Sequence, residues 1–147
     1  MINTRAETVA EKPFFRYALN NHRCLIAADG FYEWGNKNGK KYPVYIKLKS
    51  GELFGFAGLY NFWESPDGSM IPTCTIITTE PNELIVPIHQ RMPVIIQKDN
   101  EDQWLNPVLE DKNMLLPLLK PYPSEAMECY PVSPKMNSPL YNHPENI

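Results

Sequence analysis

The 147-residue sequence has little of what marks the common metal and cofactor sites. Its three cysteines, Cys24, Cys74 and Cys129, are widely spaced, odd in number and without a CxxC pair or a histidine placed beside them as zinc ligands require. Its seven glycines form neither a P-loop nor a dinucleotide-binding fingerprint. We therefore expect reduced, buried structural cysteines and no nucleotide or metal cofactor.

Positive charge and long apolar runs are also scarce. Fourteen lysines and arginines stand against 17 acidic residues, and the net charge is −3. This balance argues against wholesale electrostatic binding of a long polyanion, although a local basic cleft could still bind a few phosphates. No apolar run is long enough to span a bilayer, and the first eight residues contain no apolar signal core. We expect a soluble, cytoplasmic protein without a membrane partner.

The sequence does contain many short runs of β-branched and aromatic residues separated by turns, and fifteen prolines keep every element short. With 43% hydrophobic composition and no internal repeat, it predicts a single domain over residues 1–147. We predict a kinked helix from Thr8 to Asn21, because Thr8 is a candidate cap and Pro13 a break or a fresh start. The other predicted elements include strands at 53–60, 73–79 and 94–96, a half-buried strand at 41–49, a short helix at 81–86, two short helices between 104 and 119, and a last strand near Cys129.

One carboxylate lies among three aromatic residues in the segment Asp29–Trp34. If the segment is extended, Glu33 shares one face with Phe31, and the two neighbours of Glu33 lie on the other face. Partial burial would raise the pKa of Glu33 and would suit this group to donate or shuttle a proton. A carboxylate satisfied by the nearby backbone or by an arginine is about equally consistent with the sequence.

His89 and Arg91 form a second candidate pair. On an extended segment they point the same way, and the planar guanidinium could hold a phosphate. A lone histidine is more often a hydrogen-bonded structural residue, and such an arginine more often makes a surface ion pair. Trp34 would usually be a core residue, although an exposed tryptophan beside a polar cleft can stack on a nucleobase. Asn3 and Arg5 lie where the chain would ordinarily fray.

Four motifs, taken in order along the chain, resemble one known family. They are the segments Asn3–Thr8, Arg23–Trp34, Phe56–Tyr60 and Ile88–Ile95. Together they resemble SRAP, the SOS-response-associated peptidase family, and Val132-Ser133 and Asn137-Ser138-Pro139 resemble its closing segment. The resemblance implies an α+β, predominantly β fold, which is a compact, barrel-like domain of short, mostly antiparallel strands with short flanking helices.

The resemblance also implies a specific chemistry. Members of the family bind single-stranded DNA at abasic sites and join to it covalently through an N-terminal cysteine. The amine of that cysteine attacks the ring-opened sugar aldehyde, and its thiol closes a thiazolidine. An autopeptidase activity frees the cysteine. The partner implied is single-stranded DNA with abasic sites, and no metal, membrane or required protein partner is implied.

The family's functional residues transfer to individual positions of this chain. Asn3 matches the asparagine beside the linkage, Glu33 the acid that assists ring opening and Schiff-base formation, and His89 the histidine of the proton transfers. The positions that match DNA contacts are Arg5 and Arg91 for phosphates and Trp34 for the DNA junction. Imine formation needs a proton for the departing hydroxyl and a base to take protons back, which an acid and a histidine can share.

The N-terminus departs from the family pattern. Family members begin with Met-Cys-Gly and carry a further stretch before the segment that matches Asn3, whereas this chain begins Met1-Ile2. A thiazolidine needs a thiol and a free α-amine on one residue, so we expect this chain by itself not to crosslink. It would then be a shortened form, the product of a misplaced start codon or a natural fragment. Gln90, where the family usually has an acid, is a milder departure.

Three functions are compatible with these motifs. The first is a SRAP-type DNA-damage protein. The second is a non-catalytic single-stranded DNA-binding module that retains Arg5, Trp34 and Arg91. The third is a peptide or amide hydrolase that uses one internal cysteine with His89. We also expect a domain without the family's opening stretch to be less stable, or to self-associate more, than a longer form.

Overall fold

Two β-sheets form most of the protein in the computed structural model, which describes residues 2–133. The strands are β1 Ile2–Arg5, β2 Arg23–Ala28, β3 Phe31–Lys37, β4 Lys40–Leu48, β5 Phe54–Glu64, β6 Met70–Thr79, β7 Met92–Pro93, β8 Ile95–Ile96 and β9 Met127–Pro131. The helices are α1 Pro13–Asn21, α2 Glu101–Leu105 and α3 Lys112–Leu115, with 3₁₀ turns at Lys98–Asn100, Leu116–Leu118 and Ser124–Ala126. A curled half-barrel sheet and a second sheet make one domain, which confirms the predicted fold class.

The larger sheet has the strand order β1-β6-β5-β2, with β7 beside β6 and β8 beside β5. Its pairs are antiparallel except for β1 and β6, which are parallel and place Asn3 opposite Ile76 and Arg5 opposite Thr78. Strand pairing therefore holds the segment that sequence alone would have left to fray. The motif Asn137-Ser138-Pro139 lies outside the described residues, as does part of the predicted domain 1–147.

The smaller sheet has the order β3-β4-β9. A two-residue turn joins β3 to β4, and Asn38 and Gly39 both have positive φ angles, of 55° and 81°. Asn-Gly is the sequence that such a tight hairpin turn favours, because both residues tolerate this backbone conformation. The hairpin fixes β3 against β4 and so determines which face of the sheet carries Glu33.

Two apolar clusters cover opposite faces of the larger sheet. One lies between this sheet and the helices and includes Leu19, Ala57, Leu59, Ile77 and Trp104, all at most 1% exposed. The other lies between the two sheets, where Val44, Ile46, Phe54, Phe56 and Met92 pack together. Alternate residues of β5 supply the two clusters, as expected for a strand buried on both faces.

The predicted helix at 8–21 is helical only from Pro13 onward, and the predicted helix at 81–86 is wrong. Helix α1 begins at Pro13, which has no N–H to satisfy and suits a first helical position. The preceding residues form a turn in which Glu11 and Lys12 donate to the Thr8 carbonyl at 3.0 and 3.2 Å. The predicted helix at 81–86 is a series of turns. Pro87 disfavours helical backbone at the residue before it.

Several smaller expectations are also settled. β4 is a strand as predicted, but it is buried on both faces at 43–46 rather than half-buried throughout. The short helices after residue 100 and the last strand at Cys129 are as predicted. The three cysteines are free, but each is only partly buried, because each lies on a strand whose face is incompletely covered. Within residues 2–133, the helices are all too short or too polar to cross a membrane.

Candidate functional site

A cleft of about 430 Å³ opens between the two sheets. Five of the predicted site residues line it, namely Asn3, Arg5, Glu33, His89 and Arg91. These residues come from β1, from β3 and from the segment before β7, which are separated by up to 88 positions along the chain. The fold therefore brings polar groups from three distant segments to one place, beside an apolar wall that includes Phe31 and Phe56.

Backbone alternation explains which side chains enter the cleft. Asn3 and Arg5 are alternate residues of β1 and so point to the same face. Glu33 lines the cleft together with Phe31, as the extended segment predicted, whereas Trp34 is 37% exposed and does not line the cleft. Trp34 lies directly after Glu33 on β3, at the outer side of the same strand.

Glu33 and His89 form a close but unbonded acid–imidazole pair. The Glu33 Oε2 atom lies 3.9 Å from His89 Nε2, which is too long for a direct hydrogen bond. The Glu33 side chain is 22% exposed and that of His89 46%. Burial raises the pKa of Glu33, and the His89 charge and a backbone hydrogen bond at Trp34 act in the opposite direction. Both groups keep hydrogen-bonding capacity for a bound molecule.

The backbone of Arg91 orients the His89 ring. His89 Nδ1 lies 3.0 Å from the Arg91 carbonyl oxygen and 3.1 Å from the Arg91 amide nitrogen. In one neutral tautomer Nδ1–H donates to the carbonyl, and in the other Nδ1 accepts from the amide N–H. In both tautomers Nε2 is the nitrogen that faces Glu33, so this atom can take or give a proton in the cleft.

The two arginines of the cleft differ in their partners. Arg91 makes a bidentate pair with Glu7, through Nη1 to Oε2 at 2.7 Å and Nη2 to Oε1 at 3.1 Å. Its Nη2 also donates to the Thr78 carbonyl at 3.0 Å, and its Nε to the Thr78 hydroxyl at 3.4 Å. Arg5 is exposed and has no ion-pair partner within residues 2–133. Sequence reasoning missed Glu7, because no local pattern links positions 84 residues apart.

The cysteines lie away from this chemistry. The residues that line the cleft include no cysteine. Burial raises the pKa of the Cys24 thiol to about 11, and burial also raises the pKa of Cys129, so both remain protonated near neutral pH. Within residues 2–133, no group of three or more histidine, cysteine or acidic side chains is arranged to hold a metal ion.

Comparison with known sequences gives relatives with a shared description. The chain is 55% identical over 148 residues to the "Abasic site processing protein YoqW" of Bacillus subtilis (strain 168), a match that covers 100% of this chain and 66% of the relative. It is 32% identical over 163 residues to the "Abasic site processing protein HMCES" of Xenopus tropicalis, which covers 97% of this chain and 48% of that protein. The chain thus spans less than two thirds of the length of these relatives.

Solved structures and a family model agree with this similarity. A protein from Bacteroides thetaiotaomicron superposes with a TM-score of 0.86 at 37% identity, over 90% of this chain and 59% of that one. A protein from Bordetella bronchiseptica superposes with a TM-score of 0.80 at 28% identity, over 89% of this chain and 64% of that one. The model of the family "SOS response associated peptidase (SRAP)" matches residues 1–139. Since this match covers nearly the whole sequence, the chain belongs to the SRAP family.

Proposed function

We propose that this chain acts in the DNA-damage response by processing abasic sites, and that the cleft between its two sheets receives the abasic sugar. The observation that carries the proposal is the approach of Glu33 and His89 to 3.9 Å inside a cleft that also holds Asn3 and Arg5. A partly buried acid next to an imidazole suits proton transfer to and from a sugar. The names of the relatives support the same substrate.

The proposed partner is a single strand of DNA, met in the cytoplasm. Arg5 and Arg91 contact phosphates on either side of the lesion, and Trp34 stacks on a neighbouring base. A net charge of −3 makes such binding depend on these few local contacts. An unpaired strand also lets the sugar enter the cleft, because no opposite base holds it in a duplex.

The proposed covalent step belongs to a protein in which a Met-Cys-Gly opening precedes this chain and autopeptidase action frees the cysteine. The cysteine α-amine adds to the aldehyde carbon of the ring-opened sugar, Glu33 protonates the departing hydroxyl, and one water leaves as the imine forms. The thiol then adds to the imine carbon and closes the thiazolidine. His89 Nε2 takes the proton that the nitrogen loses as the imine forms and returns it to Glu33, and it then passes the thiol proton to the ring nitrogen. The Asn3 side chain holds the reacting atoms.

The residues that line the cleft also bear on the two alternative functions. A hydrolase based on an internal cysteine is disfavoured, because no cysteine lines the cleft with His89 and the thiol of Cys24 has a raised pKa. A non-catalytic DNA-binding module would use the same arginines without proton transfer. A polypeptide that begins at Met1 can test DNA recognition separately from the covalent step, because it lacks an N-terminal cysteine.

The binding proposal predicts a preference for an abasic strand. Fluorescence anisotropy would compare a labelled single strand that carries one tetrahydrofuran residue, a stable abasic analogue, with the same strand carrying thymine there. We expect tighter binding of the abasic strand, and we expect Arg5→Gln to weaken that binding roughly three- to tenfold and to lower the salt slope by about one.

Arg16→Gln is the matched control for this measurement. Arg16 is an exposed arginine of α1 outside the cleft, and its loss changes the net charge equally. Equal affinity for the two strands, or equal effects of the Arg5 and Arg16 substitutions, would contradict the proposed function.

A further inference from the structure

The Arg91 side chain is already occupied on the edge that would bind a phosphate. A guanidinium offers two parallel N–H groups to a carboxylate or a phosphate, and Glu7 takes this edge through Nη1 and Nη2. Thr78 takes the Nε–H and a second N–H of Nη2. Of the five N–H donors, one on Nη1 remains for another ligand. A DNA phosphate therefore meets this arginine with its bidentate edge filled.

The two partners of Arg91 differ in how easily they can leave. Thr78 lies on β6, and its carbonyl anchors Arg91 from within the sheet. Glu7 lies outside the regular strands and its side chain is 55% exposed, whereas that of Arg91 is 20% exposed. Glu7 is not part of the cleft lining and reaches Arg91 from the neighbouring surface. Glu7 can thus swing into solvent while Thr78 keeps the guanidinium in place.

The charge of Glu7 also opposes the second arginine. The hydrogen bond from Arg91 is the largest cause of the lowered pKa of Glu7, and the charge of Arg5 adds to it. Glu7 is therefore an anion close to both cations of the cleft. It reduces the positive potential that a DNA strand would meet there.

We propose that Glu7 occupies the place of a DNA phosphate on Arg91, and that the phosphodiester group beside an abasic nucleotide displaces it. This inference rests on the proposed function and adds a residue that sets the strength of DNA binding. A competing carboxylate lowers the affinity for every phosphate, so a strand without the lesion, which lacks the sugar contacts, binds only weakly. An abasic strand keeps the additional contacts of its sugar inside the cleft.

The test is the substitution Glu7→Gln, measured against Glu11→Gln. Glutamine keeps the shape of the side chain and removes its charge, and Glu11 is an exposed acid four residues on whose loss changes the net charge equally. We expect Glu7→Gln to tighten binding of an intact single strand roughly three- to tenfold in anisotropy and to raise the salt slope by about one, while Glu11→Gln stays within about twofold. The preference for the abasic strand should stay the same, because the carboxylate competes for the phosphates of both strands alike.

The tighter DNA binding of Glu7→Gln must also depend on Arg91. In an Arg91→Gln background, Glu7→Gln should tighten binding by less than about twofold, because the site that it opens is gone. A second arm uses inorganic phosphate alone, which should raise the melting temperature of Glu7→Gln more than that of the unaltered chain or Glu11→Gln.

Each result has a separate meaning. Weaker binding by Glu7→Gln would show that the carboxylate positions Arg91 and would overturn the inference. Equal behaviour of the two glutamine variants on DNA and on phosphate would overturn it as well. Equal affinity of the unaltered chain for abasic and intact strands would instead contradict the proposed function, and the phosphate arm would still decide the role of Glu7.

Discussion

Glu33 shows how one side chain can be suited to chemistry at the expense of stability. It is charged in the unfolded chain at neutral pH, but in the cleft it is largely removed from water and burial raises its pKa. The folded protein therefore binds the Glu33 proton more tightly than the unfolded chain does. Such groups are typical of active sites, where the ionised form is kept at a cost.

The first prediction concerns the pH dependence of stability. The stabilisation from a raised pKa is complete below the usual glutamate value, near 4.5, and is lost as the pH rises through the folded-state pKa. We expect Glu33→Gln to remove this loss, so that the melting temperature of the variant exceeds that of the unaltered chain by an amount that grows between pH 4 and pH 8.

Thermal unfolding in a series of buffers measures this difference. The charge of His89 acts in the opposite direction, so the measured difference is the net effect of both groups. Glu64→Gln, at the exposed end of β5, is the control and should show no such trend. A difference between Glu33→Gln and the unaltered chain that stays constant with pH would contradict the raised pKa.

The orientation of a single side chain was predictable from the sequence where the alternation along its strand determines it. Alternation along β3 gives the face of Glu33, and alternation along β1 gives Asn3 and Arg5 a common face. The pairing of Arg91 with Glu7 has no local signal, because it depends on where β1 ends relative to β6. The DNA-binding and catalytic roles of these residues stay predictions.

At the level of strands and helices, β1 is the element of the site whose position depends most on the rest of the fold. Four residues are too few to form a strand alone, and β1 is held by its parallel pairing with β6. The alternating pattern of β4 was clear in the sequence, whereas the turns before α1 and at 83–88 were misread as helix. In both segments the apolar residues have helical spacing, but a nearby proline disfavours helical φ and ψ angles at the residue before it.

Arg23 joins the helices to the larger sheet and gives the second prediction. Its guanidinium donates to the carbonyls of Leu19 at 2.7 Å, Trp104 at 2.6 Å and Leu109 at 2.8 Å, and it makes further bonds to Asn20 and Asn106. We expect Arg23→Ala to lower the free energy of unfolding by about 3 kcal/mol, because these carbonyl groups lose a charged donor.

Urea unfolding measures this change. Arg16→Ala removes an exposed arginine of α1 and should change the free energy of unfolding by at most about 0.5 kcal/mol. Equal effects of the two substitutions would show that Arg23 does not hold these segments together.

Across the whole molecule, the site exists because two sheets leave a gap at one end of their shared core. The strand-rich class of the fold was predictable from short runs and turns, but the division into two sheets was not, since it depends on which strands pair. Large apolar side chains remain exposed at the end of the β5–β6 hairpin, namely Phe62, Trp63, Met70 and Ile71. The expected self-association of this chain stays a prediction.

The proposed function rests on Glu33 and His89 acting together on one bound sugar. The decisive measurement is the rate at which a protein with a Met-Cys-Gly opening before this chain forms a gel-stable adduct with an abasic single strand, at saturating DNA. The proteins compared are the unaltered form, Glu33→Gln, His89→Gln and the double variant, with Glu64→Gln as the control. We expect each single substitution in the cleft to slow the adduct roughly 100-fold and the double variant to be about as slow as the slower single one. Two effects that multiply in full, or rates that match the control, would show that the two groups do not share a proton transfer in this cleft.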